Sequence, residues 1–430
     1  MTKPFNISKH LVVQAYKHVK ANAGAAGVDE QSLTDFEVNQ KDNLYKLWNK
    51  LSSGSYFPLP IKAVAIPKKS GGQRVLGIPT VSDRICQMVI KLMLEPELEP
   101  HFLTDSYGYR PNKSALEAVG VTRQRCWKYD WVLEFDIKGL FDIIPHDLLM
   151  KAVHHHTKCK WMVLYIERWL KAPLQHSDGK IEERNKGTPQ GGVISPLLSN
   201  LYMHYVFDKW MQRQHSDKLW CRYADDGLVH CKTRIEAEEL LEELKQRFAE
   251  CGLEVHQDKT RIVCCNVKDK QNSAKSFDFL GFTFRPRLAN NQKNNTLFIG
   301  FTPAVSKTAI KAMRQETKRY KWHLRSELSL EQISQAYNPT LRGWFNYYGR
   351  YTPNALAPVS KHFNNILVKW AMRKYLRFKG RKVRAIQYIE RIAQSCPSLF
   401  AHWHQSKGFV VFNGSCINRE GAPCSASRNS

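Results

Sequence analysis

Two short β-prone runs, Leu219 to Tyr223 and Gly227 to Cys231, enclose Ala224-Asp225-Asp226. Strands this short, separated by so few residues, fold back on each other, so the segment predicts a hairpin with two carboxylates at its tip. Adjacent acids inside an otherwise apolar run are hard to explain as a solvated surface, although taken alone the pair also fits an ordinary polar turn. A second acid has a similar setting. Residues 132 to 137 (VLEFDI) alternate as a half-buried strand does, with Leu133, Phe135 and Ile137 on one face and Val132, Glu134 and Asp136 on the other.

Helices surround these strands. Leu11, Ala15, Tyr16 and Val19 have helical spacing before Gly24 and Gly27. Ser82 to Leu94 reads as a helix, and Pro145 opens another with Asp147 in its first turn. Residues 236 to 251 are the clearest amphipathic helix, with Ala237, Leu240, Leu241, Leu244 and Phe248 on one stripe and Gly252 placed to cap it. Residues 61 to 79 (IKAVAIPKKSGGQRVLGIP) predict two strands around a Ser70-Gly71-Gly72 turn. The class is α+β, with an antiparallel sheet packed on helices.

The chain has 65 Lys and Arg against 39 Asp and Glu, a net charge of +26. Such an excess repels itself unless a polyanion screens it, and phosphates do so with release of counterions, so nucleic acid is the favoured partner. A length of 430 residues allows two or three domains. Crowded asparagines at 290, 291, 294 and 295 mark a composition shift near 286 to 296. Beyond it, residues 305 to 410 hold 20 Lys and Arg against 4 Asp and Glu, a net +16. There Phe363, Ile366, Leu367 and Trp370 form an apolar stripe beside Lys361, Lys369, Arg373 and Arg377. The last stretch, rich in Ser, Asn and Gly, reads as a loose tail. No window has the ~18 uninterrupted apolar residues of a membrane span, and the 11 scattered cysteines form no CxxC pair. Reduced thiols and a cytoplasmic location are expected, with no membrane partner.

Carboxylates gathered at one point repel one another unless a cation joins them, and Mg²⁺ demands such hard oxygen ligands. Two such ions can activate a 3′-hydroxyl and stabilise a leaving pyrophosphate. The surroundings of the acids fit that chemistry. WCRYADDGLVHC resembles the palm hairpin of reverse transcriptases, VLEFDIKGLFDIIPHDLL their first metal-ligand strand, and NKGTPQGGVISPLLSNLYMHYVFD their Pro-Gln-Gly block, all in the family's order. AYKHVKANAGAAGVD, KKSGGQRVLGIPTVSDRICQ, SYGYRPNKSALEAV, FDFLGFTF and RGWFNYYG narrow the resemblance to group II intron reverse transcriptases, or maturases, over roughly residues 10 to 405.

That resemblance implies a right-hand polymerase. Fingers and palm would take residues 1–285, a linker 286–303, a helical RNA-binding thumb and maturase domain 304–411, and a flexible tail 412–430. Asp136, Asp225 and Asp226 would be the catalytic ligands of two Mg²⁺ ions. Phe141 would be a steric gate against a ribose 2′-hydroxyl, or else a core aromatic. Lys69, with Lys68 as an alternative, and Arg74 would steady the triphosphate from the fingers, or lie at a solvated strand end. Gln190 would touch the incoming nucleotide or template, unless its polarity is ordinary loop polarity. Lys259, in a turn after Leu253 to Val255, would lie near the active site or be solvated. Phe279, Leu280 and Gly281 match the primer grip, and a strand with a bulge fits them equally.

In the basic C-terminal part, Arg342, Arg350, Lys369, Arg373, Lys374, Arg377 and Arg381 would bind RNA, while Tyr337, Trp344, Phe345, Tyr347, Tyr348 and Tyr351 mostly pack. The implied partners are group II intron RNA, an RNA template with a DNA primer, target DNA and deoxynucleoside triphosphates, with a monomer or homodimer both open. A splicing cofactor with an idle polymerase, or a domesticated enzyme of repair or defence, are the alternatives. Many maturases add an endonuclease with CxxC zinc ligands. Cys416 and Cys424 are too far apart to make that motif, so the primer is expected from elsewhere, such as a nascent strand at a replication fork. His154, His155 and His156 point in different directions on a helix and are not expected to share a metal. Cys264-Cys265 and His402-Trp403-His404 read as packing.

Overall fold

The computed structural model describes residues 3–67, 72–267, 274–291, 296–405, 410–412 and 415–417. It divides into two compact units, Met1–Arg125 with Tyr129–Ile262, and Cys126–Lys128 with Val263–Ser430.

In the first unit β1 (Ile61–Pro67) and β2 (Gln73–Ile78) pair antiparallel, with Ile66 opposite Arg74. After β3 (Trp131–Asp136) come β4 (Leu174–Gln175) and β5 (Ile181–Glu182), which extend the β1–β2 sheet in the order β2-β1-β4-β5. A second sheet has the order β6-β7-β3-β8, from β6 (Leu219–Tyr223), β7 (Asp226–Cys231) and β8 (Arg261–Cys264). β3 is more buried than alternation predicts. Leu133 and Phe135 are covered, as expected, but so is Val132 on the opposite face. Glu134 keeps partial access and pairs with Arg261 at 2.6 Å. Phe135 packs on Phe207 and Phe248 at centroid distances of 5.0 and 5.7 Å.

Phe248 comes from the helix Arg234–Glu250, which buries Ala237, Leu240, Leu244 and Phe248 as its periodicity predicts. Gly252 follows in the left-handed region at φ 68°, the usual ending of a helix. Gly227 in β7 serves another purpose: a Cβ there would stand 2.1 Å from Cζ of Phe135. Gly227→Ala is therefore expected to cost about 1–3 kcal/mol through overpacking, read as a lowered urea midpoint, whereas a neutral result would show that the Phe135 ring can move aside.

The expected linker is not a linker. After β9 (Phe277–Phe279), β10 (Phe282–Asn291) and β11 (Thr296–Val305) pair along their whole lengths, Phe282 with Val305 through Asn291 with Thr296. Residues 286–291 and 296–303 are thus paired strand, and the division between units falls at Ile262 and Val263 rather than at 285. Phe284, Leu297, Ile299 and Phe301 give the two paired strands their propensity.

The second unit continues with helices Lys307–Arg319, Leu330–Tyr348, Ala357–Lys374, Lys382–Ser395 and Ala401–Gln405. Ser329 and Gln332 form a reciprocal capping box at the second of these. Ile333, Tyr337, Leu341, Phe363, Leu367, Trp370, Ile389 and Phe400 form one core. Trp403 belongs to it, and Asn364 Oδ1 lies 2.7 Å from His402 Nε2 and 2.9 Å from Trp403 Nε1. Cys264 and Cys265 are buried. Of the expected tail, Phe412 and Ser415–Ile417 take part in a short ladder, Val410–Phe412 with Ser415–Ile417. Residues 418–430 lie outside the described residues.

Candidate active site

The β6–β7 hairpin turns through Ala224 and Asp225, with Tyr223 paired to Asp226. Ala224 adopts φ 57°, a left-handed conformation that persists only where neighbours impose it. Gly108 makes room for it on one side, since a Cβ there would approach Ala224 N to 2.4 Å. Arg222 holds it from within. Its buried guanidinium grips Asp208 with Nε and Nη2 at 2.8 and 2.7 Å, and donates to Asn200 Oδ1, Ala224 O and Ser106 Oγ. Every N–H of the group is used.

β3 lies on the other side of β7, and the register sets Asp136 directly opposite Asp226. The three predicted acids therefore meet at one end of the sheet. Lys259 joins them from the 3₁₀ turn Gln257–Lys259, with Nζ 2.8 Å from Asp136 Oδ2. That turn is fixed because His256 N donates to Asp136 O at 2.8 Å.

The cluster is electrostatically loaded. Burial first, then the charges of Asp225 and Asp136, push the Asp226 carboxyl up to about 8. Burial and Asp136 raise that of Asp225 as well. Burial opposes the charge of Lys259, but its hydrogen bond to Asp136 and the charges of Asp136, Asp226 and Asp225 outweigh this and raise its pKa. Among the described residues no three His, Cys, Asp or Glu side chains are grouped so as to hold a metal ion by themselves. Mg²⁺ is bound through a few carboxylates together with waters and substrate phosphates, so the protein need not enclose it alone. Hard oxygen donors, mutual repulsion and a lysine holding one of the acids all fit a divalent cation.

A pH dependence follows. With the folded pKa of Asp226 above its value in the unfolded chain, the native state binds the extra proton between roughly pH 4 and 8. The metal-free protein is expected to lose stability as pH rises through that window. Asp226→Asn, which mimics the protonated group, should flatten the profile of thermal midpoints against pH. A wild-type profile that rises across the same window would contradict the cluster's repulsion.

Phe141 lies half-buried in the short turn Leu140–Ile143 after Gly139, itself at φ 62°. Its carbonyl accepts from Thr188 N at 2.6 Å, and Ile144 O accepts from Gly187 N at 2.7 Å. Gln190 Nε2 approaches Asp142 Oδ2 at 3.4 Å, while its carbonyl accepts from Gly77 N of β2 at 2.8 Å. Gln87 Oε1 accepts from Val193 N at 2.8 Å. The Pro-Gln-Gly loop thus ties the turn bearing Phe141 to the strand bearing Arg74, whose side chain is exposed. Lys69 lies outside the described residues.

In the second unit, Phe279-Leu280-Gly281 is neither plain strand nor bulge. Phe279 pairs with Phe282 across a two-residue turn in which Leu280 and Gly281 have φ 51° and 79°, as in the primed turns that suit twisted hairpins. Tyr347 Oη donates to Leu280 O at 3.0 Å. Of the residues expected to bind RNA, Arg342, Arg350, Lys369, Arg373, Arg377 and Arg381 are exposed. Lys374 is half-buried, and its ammonium donates to Leu328 O at 2.8 Å. Tyr337 and Phe345 are buried, and Trp344, Tyr347 and Tyr348 half-buried. His156 Nε2 lies 2.7 Å from Tyr205 Oη; the histidine run holds no metal cluster among the described residues.

The sequence reading missed Arg222, Asp208, Asn200 and Gly108. The available signal was an arginine alternating into an apolar strand, which requires a buried acid somewhere in the fold.

An antiparallel strand and hairpin presenting three carboxylates at one end is the palm of a template-directed polymerase. The family model for reverse transcriptase (RNA-dependent DNA polymerase) matches residues 66–284, and that for the group II intron, maturase-specific domain matches residues 310–388. Protein YkfC of Escherichia coli (strain K12) is 35% identical over 284 residues, 56% of this chain and 72% of that protein. Group II intron-encoded protein LtrA of Lactococcus lactis subsp. cremoris is 34% identical over 200 residues, 46% of this chain and 33% of LtrA. A telomerase structure from Candida albicans aligns with a TM-score of 0.43 and 13% identity, covering 87% of this chain and 68% of that one. The chain belongs to the reverse transcriptase family, in its group II intron maturase branch, and is an RNA-directed DNA polymerase.

Proposed function

We propose that the chain extends a DNA primer on an RNA template, with Asp136, Asp225 and Asp226 holding two Mg²⁺ ions. The observation that carries this is the register that sets Asp136 opposite Asp226 with Asp225 in the adjoining turn. When bound, the ions supply activation of the primer 3′-hydroxyl and neutralisation of the departing pyrophosphate. The chain's own residues do the rest. Lys259 holds Asp136 in position and offsets part of the cluster's charge. Phe141 narrows the space beside the sugar and favours deoxynucleotides. Arg74, with Lys69, steadies the triphosphate, and Gln190 orients the nucleotide from a loop braced on both neighbours. The turn Phe279-Leu280-Gly281 guides the primer strand.

The basic second unit binds group II intron RNA and so assists splicing and mobility of the intron into target DNA. The net +16 of residues 305 to 410 and the exposed arginines support this reading. Purified protein should extend a DNA primer on an RNA template in Mg²⁺, and its Asp225→Ala form should bind RNA but not extend. A protein that binds intron RNA tightly yet never extends a primer would favour the splicing cofactor instead.

A further inference from the structure

The segment from Arg373 to Arg384 contains no acid, and Arg373, Arg377, Lys379, Arg381, Lys382 and Arg384 are all exposed. None of these six forms an ion pair among the described residues. In their midst Leu376 is 86% exposed and Val383 67%. Single exposed aliphatics are ordinary on protein surfaces, but two have no reason to collect among unpaired cations unless the partner is both anionic and apolar.

The support beneath Leu376 is rigid. It begins the 3₁₀ turn Leu376–Phe378, closed by bonds from Phe378 N to Tyr375 O and from Lys379 N to Leu376 O at 2.9 and 3.0 Å. Phe378 is buried, and Arg377 lies over the rings of Tyr375, Phe378 and Tyr388 at 5.6, 4.8 and 5.7 Å. The turn therefore holds an aliphatic side chain outward at little further cost in entropy on binding.

We propose that Leu376, seconded by Val383, is an apolar wedge that packs against an unstacked base of a structured RNA while the surrounding cations hold its phosphates. This rests on the reading of the second unit as an RNA-binding surface and adds the class of RNA it takes. A regular RNA duplex offers phosphates but keeps its bases stacked, and its deep, narrow major groove excludes side chains. A loop or bulge offers both phosphates and unstacked bases.

The test uses the full chain and two RNAs of equal length, one a hairpin with an unpaired loop and one fully paired. Leu376→Ala should weaken binding of the looped RNA about tenfold, leave the paired RNA unchanged, and leave the salt slope of both intact. Arg373→Glu with Arg381→Glu should weaken both RNAs and lower both slopes. Base-reactivity footprinting should show one loop nucleotide protected by wild type and open with Leu376→Ala. Equal loss on both RNAs, or no loss on either, overturns the wedge. So does a Leu376→Ala effect confined to binding of phosphatidylserine vesicles, which would make the tip a membrane contact. Primer extension on a linear template, run in parallel, reports separately on the polymerase reading.

Discussion

Asp225→Asn and Asp136→Asn, made separately, are each expected to slow Mg²⁺-dependent primer extension by about a thousandfold or more. Asn keeps the shape of the side chain and removes the charge, so the fold has no reason to fail. The opposite is expected: with burial and its two neighbours holding Asp226 at about 8, removing either neighbouring charge relieves the cluster. The metal-free variants should melt at or above the wild-type temperature above pH 8, while activity collapses. A functional site is commonly less stable than it would be without its function. If extension persists within tenfold in both variants, the acids are not the ligands of the reaction.

Arg222→Met is expected to cost about 3–5 kcal/mol in chemical unfolding, because it strands Asp208 as a lone buried charge. Both side chains have no exposed surface. The loss reaches function by geometry: without the bonds from Arg222 to Ala224 O and Ser106 Oγ, the turn loses the anchor that fixes Asp225. Arg222→Lys is expected to fail nearly as badly, since an ammonium offers three donors in place of a planar fork. Pairing Arg222→Met with Asp208→Leu separates the two effects. The double variant should recover most of the stability, as apolar replacements of buried pairs often do, yet remain slow, because the turn is still unanchored. Full recovery of both would reduce Arg222 to ordinary core packing.

Much of the site could be read from residues close in sequence. Asp225 and Asp226 could be placed at a hairpin tip from the apolar runs around them, but alone they fit a polar turn equally, and the resemblance of the flanking motifs made them site residues. Asp136 follows from alternation along VLEFDI, although alternation missed the burial of Val132 by the rest of the unit. Lys259 was expected near the acids from the family resemblance, since its turn alone fits a solvated lysine, and it forms an ion pair with Asp136. What escaped depends on contacts between distant segments. Arg222 and Asp208 are 14 residues apart, and Gly108 meets Ala224 from far along the chain. Neither spacing leaves a periodic trace. The pair β10 and β11 was misread as a linker because asparagines dominate the local composition, while pairing over ten residues a side is a tertiary outcome. Lys374 shows the same limit: charge in a basic run does not reveal which ammonium is tied to Leu328 O.

Three acids sharing divalent cations are the centre of the proposed activity. Electron paramagnetic resonance of Mn²⁺ titrated into the protein with primer, template and a non-hydrolysable nucleotide tests that directly. Wild type should bind Mn²⁺ saturably, more tightly as pH rises towards 8 and Asp226 gives up its proton. Asp136→Asn, Asp225→Asn and Asp226→Asn together should abolish that binding. Undiminished Mn²⁺ binding by the triple variant would place the metal elsewhere and contradict the account.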